Sequence, residues 1–436
     1  MKDRVLTETL INPERTDWDS LLRRPKLDTD ALDTSVRGVF RDVMKNGDKA
    51  VRKYTSLFDG IALSEIKVSR AEFLDAKRRV PEELKTAIKR AKRNIKRFHK
   101  SQQLKPKAVE TEEGVTCWME SRAIEKIGLY VPGGTAPLFS TVLMLAVPAE
   151  IAGCDEIVMC TPPGEDGLID PAILYTADLC GIKSVYKVGG MQAVAALTFG
   201  TESVPAVYKI FGPGNQYVTA AKQMALQYGV AIDMPAGPSE LLVFADDSAN
   251  ASFVASDLLS QAEHGPDSQV LWVTTSEDFA NRVKDEIEVQ LKHLPRKAIA
   301  EQALEKSKFI VMNDSDSALE LINAYGPEHL IITTENEDEI IDKIKNAGSV
   351  FIGTYTPESA GDYASGTNHT LPTNGFTKQY SGLNLNSFTK QISFQKITKT
   401  GLQKLGPSIE ILASAEGLSA QKNAVTLRLK TLMTKE

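Results

Sequence analysis

Residues 127–163 read IGLYVPGGTAPLFSTVLMLAVPAEIAGCDEIVMCTPP, and the alternation within them decides the fold. Two short apolar runs of strand length flank a longer apolar stretch that suits a helix, and a Gly-rich corner follows the first run. The same beat continues through SVYKVGG, VYKIFGPG and ELLVFADD, with DPAILYTADLCG, MQAVAALTFG and NQYVTAAKQMALQYG lying between. Strand starts recur every ~25 to 30 residues, the length of a βα unit, and parallel strands need crossovers of that size. A second series follows in QVLWVTT, KFIVMND, HLIITTE and SVFIGTY, spaced by helical stretches such as EDFANRVKDEIEVQLKHL and DSALELINAYG. The expected fold is α/β: two Rossmann-like doubly wound domains with a helical N-terminal region and a small C-terminal arm.

Working outward, the first ~125 residues are mostly helical in pattern, in TSVRGVFRDVMKNGDKAVRKYTSLF and PEELKTAIKRAKRNIKRFHKSQ. Beyond residue 385 the rhythm changes to FTKQISFQKIT and a terminal helical run. That tail is too small to hold a core of its own, so it is expected to pack on another domain or another subunit. The expected division is an extension over 1–24 and a discontinuous first α/β domain over 25–129 and 238–381, with a helical insertion. A second α/β domain would span 130–237, and a dimerisation arm 382–436.

The 436 residues are 42% hydrophobic and 25% charged, a balance that belongs to soluble globular proteins. A net charge of -6 gives no drive toward nucleic acid or an anionic membrane, and the basic helix over 81–102 reads as a solvated face. STVLMLAVPAEIAG is interrupted by Pro148 and Glu150, short of the ~20 residues a membrane span needs. The start MKDRVLTETLINPERTDW has no apolar signal region, so a cytoplasmic location is expected. Cys117, Cys154, Cys160 and Cys180 stand in no metal or disulfide spacing and are assigned no role.

Of the five histidines, His264, His329 and His369 fall in turns, in AEHGPD, GPEHLI and SGTNHTLP. Loops and helix termini are where open α/β sheets place their sites. Gln261 and His264, three apart, share one face of a helix end and could point two atoms at one ion. Asp362 could add a hard oxygen, and a His-plus-oxygen set suits zinc or a similar divalent ion. Glu328 and His329 are adjacent bases of different intrinsic pKa, which suits a reaction with two distinct proton transfers. There is no G-x-G-x-x-G, but YVPGGTAPLFST and FGPGNQY are Gly-rich corners that could approach a phosphate.

Seven motifs, GLYVPGG, GPGN, DMPAGPSE, SQAEHGPDSQ, GPEHL, AGDYASGTNHTLPT and KNAVTLR, stand in one order along the chain. With them the chain resembles the histidinol dehydrogenase family over nearly its full length. The resemblance implies NAD-dependent oxidation of L-histidinol to L-histidine via L-histidinal, in the last steps of histidine biosynthesis. It also implies one Zn2+ per subunit and a homodimer whose C-terminal arm completes the partner's site. By motif, His329 would take the alcohol proton and Glu328 would activate water for attack on the aldehyde. Gln261, His264 and Asp362 match zinc ligands, and Ser239, His369 and Glu416 match substrate contacts, joined by the metal ligands and His329. Tyr130, Gln192 and Asn215 match positions that contact NAD. One position departs: Gln421 stands where the family carries its fourth zinc ligand, a His, and a neutral amide oxygen would hold the ion less tightly. Other readings of the same residues are a zinc and NAD dehydrogenase for another amino or sulfonated alcohol, a metallohydrolase with Glu328 as base, and a non-catalytic binding protein.

Overall fold

The computed structural model describes residues 9–24, 29–133, 136–235 and 237–433. Two compact units divide the chain, Met1–Gln102 with Ile124–Phe388, and Gln103–Ala123 with Thr389–Glu436. The larger unit carries two all-parallel sheets.

The first sheet runs in the order Ser184–Lys187, Glu156–Thr161, Lys126–Tyr130, Lys209–Phe211, Ala231–Ile232. Its earliest strand, Lys126–Tyr130, is central; the next two step one way and the last two the other. The order therefore reverses between Lys126–Tyr130 and Lys209–Phe211, the place where doubly wound sheets open a crevice. Helices Phe139–Ala152 and Pro171–Leu179 cover one face, and Gly190–Phe199 and Gln216–Gln227 the other. Asp170 caps the helix after it by accepting from the Ala172 N–H, and Asn215 does the same for Tyr217 and Val218.

The second sheet has six strands in the order Thr9–Ile11, Lys308–Val311, Gln269–Thr274, Glu240–Ala245, His329–Thr333, Ser349–Ile352. After the edge strand Thr9–Ile11, its path runs from the centre at Glu240–Ala245 and reverses direction between that strand and His329–Thr333, and so repeats the path of the first sheet. All six residues of Glu240–Ala245 and of Gln269–Thr274 are buried, as befits strands covered on both faces. The edge strand Thr9–Ile11, within the expected extension, completes this sheet.

The organisation goes beyond the rhythm of the sequence in two places. Helix Thr29–Asp59 buries Val36, Phe40 and Val43 against Val194, Leu197 and Ala221, and helices Arg70–Arg79 and Glu82–Lys100 bury Ala76, Ile88 and Ile95 with Leu143 and Ile173. The N-terminal helices thus pack on the first sheet, and helix Glu82–Lys100 also reaches residues 238–381, Asn94 donating to the Ala364 carbonyl at 2.9 Å; amphipathic spacing reveals an apolar face but not the sheet that receives it. Helix Thr29–Asp59 breaks at Gly47 (φ 50°), where a Cβ would lie 2.3 Å from Glu202.

The smaller unit is built from both ends of the sequence. Residues 103–123, expected within a helical region, instead supply strands Val109–Glu112 and Val115–Ala123. The latter pairs antiparallel with Thr389–Ile397 along its whole length, with Trp118 stacked on Phe394 at 5.5 Å. Helices Lys399–Ala415 and Ser419–Met433 follow. The tail therefore obtains its core from a distant segment, beginning at 389 rather than 382. Among the described residues, no helix is long and apolar enough to cross a membrane.

Candidate active site

The polar cluster of the second sheet sits where that sheet reverses direction, at the amino ends of its strands. Glu240 opens one central strand and His329 the next, and their alignment in the parallel ladder brings Glu328 alongside. The Glu240 backbone serves both neighbours: its N–H donates to Glu328 Oε2 at 2.8 Å, and its carbonyl lies 3.2 Å from His329 Nδ1. Because a carbonyl only accepts, Nδ1 carries a proton, and in the neutral ring Nε2 is the basic nitrogen. The Glu240 side chain is held in turn by Arg24, whose Nε and Nη2 approach at 2.5 and 2.8 Å, and by the Asn374 N–H at 2.8 Å.

Three carboxyl groups surround His329. Glu358 Oε1 lies 3.5 Å and Glu328 Oε2 3.6 Å from Nδ1, while Asp362 Oδ1 is 3.6 Å from Nε2. Burial pushes Glu328 up to about 8 and Glu358 up to about 8. Burial opposes the charge on His329, but the carboxylates outweigh it and raise its pKa well above the usual imidazole range. Burial also acts to raise Asp362, yet the neighbouring imidazoles of His329, His369 and His264 hold it below its ordinary value. The cluster therefore retains protons at neutral pH that the same groups would shed in water. His329, Glu358 and Asp362 offer one atom each within 4.8 Å of one another, a spacing able to grip a cation.

Gln261, at the end of helix Ala251–Ala262, is fully buried, and neither amide atom has a hydrogen-bond partner. His329 Nε2 and both Glu358 oxygens are orphaned in the same sense. A buried unsatisfied group costs about 1–3 kcal/mol, so these atoms fit a site that receives a polar or ionic ligand. His264 lies at the exposed rim just beyond Gln261, its pKa lowered first by desolvation. His369 points Nδ1 at the Asp362 carbonyl (2.9 Å) and Nε2 at the Thr141 hydroxyl (3.2 Å), and burial lowers its pKa. Ser239 is half-buried immediately before Glu240. Glu416 and Gln421 belong to the smaller unit, exposed at the end of one C-terminal helix and in the first turn of the other.

A second feature lies at the carboxyl edge of the first sheet. A cavity of about 930 Å³ opens at the reversal point and is lined by Tyr130, Gln192 and Asn215. Gly212 (φ 132°) presses on the end of the central strand, where a Cβ would fall 2.0 Å from the Tyr130 carbonyl. A buried Lys222–Asp233 pair at 2.5 Å braces this corner, Lys222 donating to the Gly212 carbonyl and Asp233 accepting from its N–H. Gln192 is fully buried with Oε1 unpartnered, and the Tyr130 hydroxyl accepts from the Gly190 N–H at 3.1 Å. An orphaned amide beside a deep crevice fits a nucleotide-sized ligand.

The family model for histidinol dehydrogenase matches residues 22–429. The chain belongs to the histidinol dehydrogenase family. The histidinol dehydrogenase of Bacteroides thetaiotaomicron is 59% identical over 420 residues, spanning 96% of this chain and 98% of its own length. That of Escherichia coli K12 is 52% identical over 427 residues, spanning 95% and 98%. The crystal structure of histidinol dehydrogenase from Elizabethkingia anophelis superposes with a TM-score of 0.97 at 55% identity, covering 99% of this chain and all of that one. The α/β fold expected from the strand rhythm is thus shared with a solved member of the histidinol dehydrogenase family.

Of the residues singled out by sequence, the fold gathers Glu328, His329 and Asp362 around one imidazole, and Tyr130, Gln192 and Asn215 around one cavity. Sequence reasoning missed Glu358, Glu240 and Arg24. Glu358 had a signal: it precedes Asp362 by four on a short helix, a like-charged spacing that is unfavourable unless something offsets it. Arg24 and Glu240 are 216 residues apart and carry no local signal.

Proposed function

We propose that the protein is an NAD-dependent histidinol dehydrogenase, converting L-histidinol through L-histidinal to L-histidine. The observation that carries the reading is the Glu328–His329 pair, two bases of unlike environment held by one backbone residue, in a chain 52–59% identical to histidinol dehydrogenases. Those relatives give no support to a hydrolase or to a dehydrogenase for another alcohol.

Taking an alcohol to a carboxylate removes four electrons, and one hydride carries two, so two NAD are consumed per turnover. When bound, NAD supplies the hydride acceptor, and zinc supplies a Lewis acid that fixes the substrate's imidazole and amine. Tyr130, Gln192 and Asn215 would hold the dinucleotide. Gln261, His264 and Asp362 would hold the metal, and the orphaned Gln261 amide supports that role. In its neutral form, with Nδ1 steadied by the Glu240 carbonyl, His329 accepts the hydroxyl proton at Nε2 as the alcohol is oxidised; the carboxylates around it stabilise the imidazolium so formed. Glu328 then takes a proton from the water that adds to the aldehyde, and His329, having released its first proton to solvent, takes the second hydroxyl proton as the hydrate is oxidised. A carboxyl pushed up to about 8 by burial is a stronger base than one in water. Ser239, His369 and Glu416 would contact the substrate.

We read the assembly as a homodimer in which the C-terminal arm brings Glu416 and Gln421 to the partner's site. The exposed Ile411, Leu412 and Leu427 on that arm support a second copy as their cover. A cytoplasmic location suits this biosynthetic role. Purified protein given L-histidinol and NAD is expected to form two NADH per histidinol; absence of turnover with zinc in excess would refute the assignment. Gln421→His is expected to raise zinc affinity without changing the substrate, and an unchanged metal content would exclude Gln421 as a ligand.

A further inference from the structure

Asp59 stands against the grain of its own helix. It ends Thr29–Asp59, where aligned peptide dipoles already gather negative charge, and an acid there costs stability. A residue that breaks a local rule is a candidate for function. Its carboxylate lines the cavity at the reversal point of the first sheet, half-buried, and its contact there is Gln192 Nε2 at 3.4 Å, a long and weak hydrogen bond. The other end of that amide, Gln192 Oε1, is buried and unpartnered behind it, so Asp59 is the member of the pair that presents an acceptor to whatever enters.

The surrounding charge is mostly negative. Glu165, Asp166 and Asp170 also line the cavity, and among the described residues Arg79 is the one cation that does so. Asp75 already faces Arg79 at 3.7 Å. Asp166 and Asp170 accept from the backbone at Leu168 and Ala172. A 2′-phosphate brings about -1.5 to -2 charges at neutral pH, and sites that accept one supply an Arg for it. A ribose diol is a donor, and a carboxylate is its natural acceptor.

We propose that Asp59 selects NAD over NADP, accepting from a ribose hydroxyl in this cavity and repelling a 2′-phosphate there. The proposal rests on the reading of the cavity as the NAD site. A carboxylate a few ångströms from a phosphate, near the surface, is worth about tenfold or more in affinity. The test titrates NADH and NADPH by their fluorescence against the full-length protein, its Asp59→Ser variant and the near-isosteric Asp59→Asn, which keeps the contact to Gln192. The wild type should bind NADH at least about tenfold tighter than NADPH, and both variants should close most of that gap, with competition by 2′,5′-ADP gaining relative to ADP. Equal affinities in the wild type, or an unchanged ratio in both variants, would overturn the role of Asp59 while leaving the cavity as the dinucleotide site. Failure of NADH itself to bind the wild type would overturn the cavity reading and this proposal together.

Discussion

Replacing Arg24 by Met should test how the Glu328–His329 pair is held. The Arg24 side chain is 14% exposed and that of Glu240 3%, so the pair is largely desolvated. Arg24 makes two charge-assisted bonds to Glu240, donates further to the carbonyls of Tyr325 (3.1 Å) and Gly326 (3.3 Å), and lies 3.9 Å over the Tyr325 ring. Met replaces most of the aliphatic volume but none of the charge, leaving the Glu240 carboxylate with the Asn374 N–H. Removing one partner of a buried pair costs about 3–5 kcal/mol, mostly the penalty of the charge left behind. At roughly 2–4 °C per kcal/mol for a domain of 150–250 residues, the calorimetric Tm should fall by about 10 °C. Because the Glu240 backbone also fixes Glu328 and His329, kcat should fall more than the loss of folded protein explains. The double variant Arg24→Met with Glu240→Met, which leaves no orphaned charge, should recover much of the stability. A Tm within about 2 °C of wild type for Arg24→Met alone would refute the reasoning, since the pair would then not be buried in effect.

Two further outcomes are expected. Glu328 acts as a base only when ionised, and burial pushes it up to about 8, so kcat/KM for histidinal oxidation should climb roughly tenfold per pH unit below that value and level above it. Glu328→Gln should abolish the limb and slow the aldehyde half-reaction more than the alcohol half-reaction; a flat wild-type profile between about pH 6 and 8 would contradict this. Gly212→Ala places a methyl 2.0 Å from the Tyr130 carbonyl at a φ of 132° that L-residues avoid. It should cost more than about 3 kcal/mol by thermal denaturation and weaken NADH binding, and near-wild-type behaviour in both would contradict the tight corner.

Much of the fold was legible because both parallel sheets write themselves as buried apolar runs separated by helix-length crossovers. The strands of IGLYVPG, EIVMCTPP, ELLVFADD and HLIITTE lie where the rhythm put them. What was illegible depends on partners far along the chain. Thr9–Ile11 is three residues long and becomes a strand only by pairing with Phe309–Val311. Val115–Ala123 sits beside a helical region and declares itself only against Thr389–Ile397. The site divides in the same way. Residue chemistry and motif singled out His329, Glu328 and Asp362, whereas Glu358 and Glu240 gain meaning only when burial and sheet alignment aim them at one imidazole. The rule that open sheets hold ligands beyond their carboxyl ends describes the cavity at Tyr130. The cluster at His329 lies at the opposite, amino edge of its own sheet, because helix Ala251–Ala262 runs back from the strand it follows and delivers Gln261 there.

The pairing of Thr9 with Phe309 and of Val115 with Ile397 sets a timetable for biosynthesis. At the ~5–20 residues per second of translation, the edge strand near the amino terminus waits roughly 15 to 60 seconds for its neighbour to emerge from the ribosome. Through that interval the first sheet, made from residues 126–232, can close on its helices while the nascent chain still carries an unpaired strand and half of a hairpin-like sheet. The arm that completes the smaller unit is made only after both parallel sheets. A message truncated late would thus yield a chain with a finished first sheet and open β-edges, a species suited to capture by chaperones rather than to slow, silent misfolding.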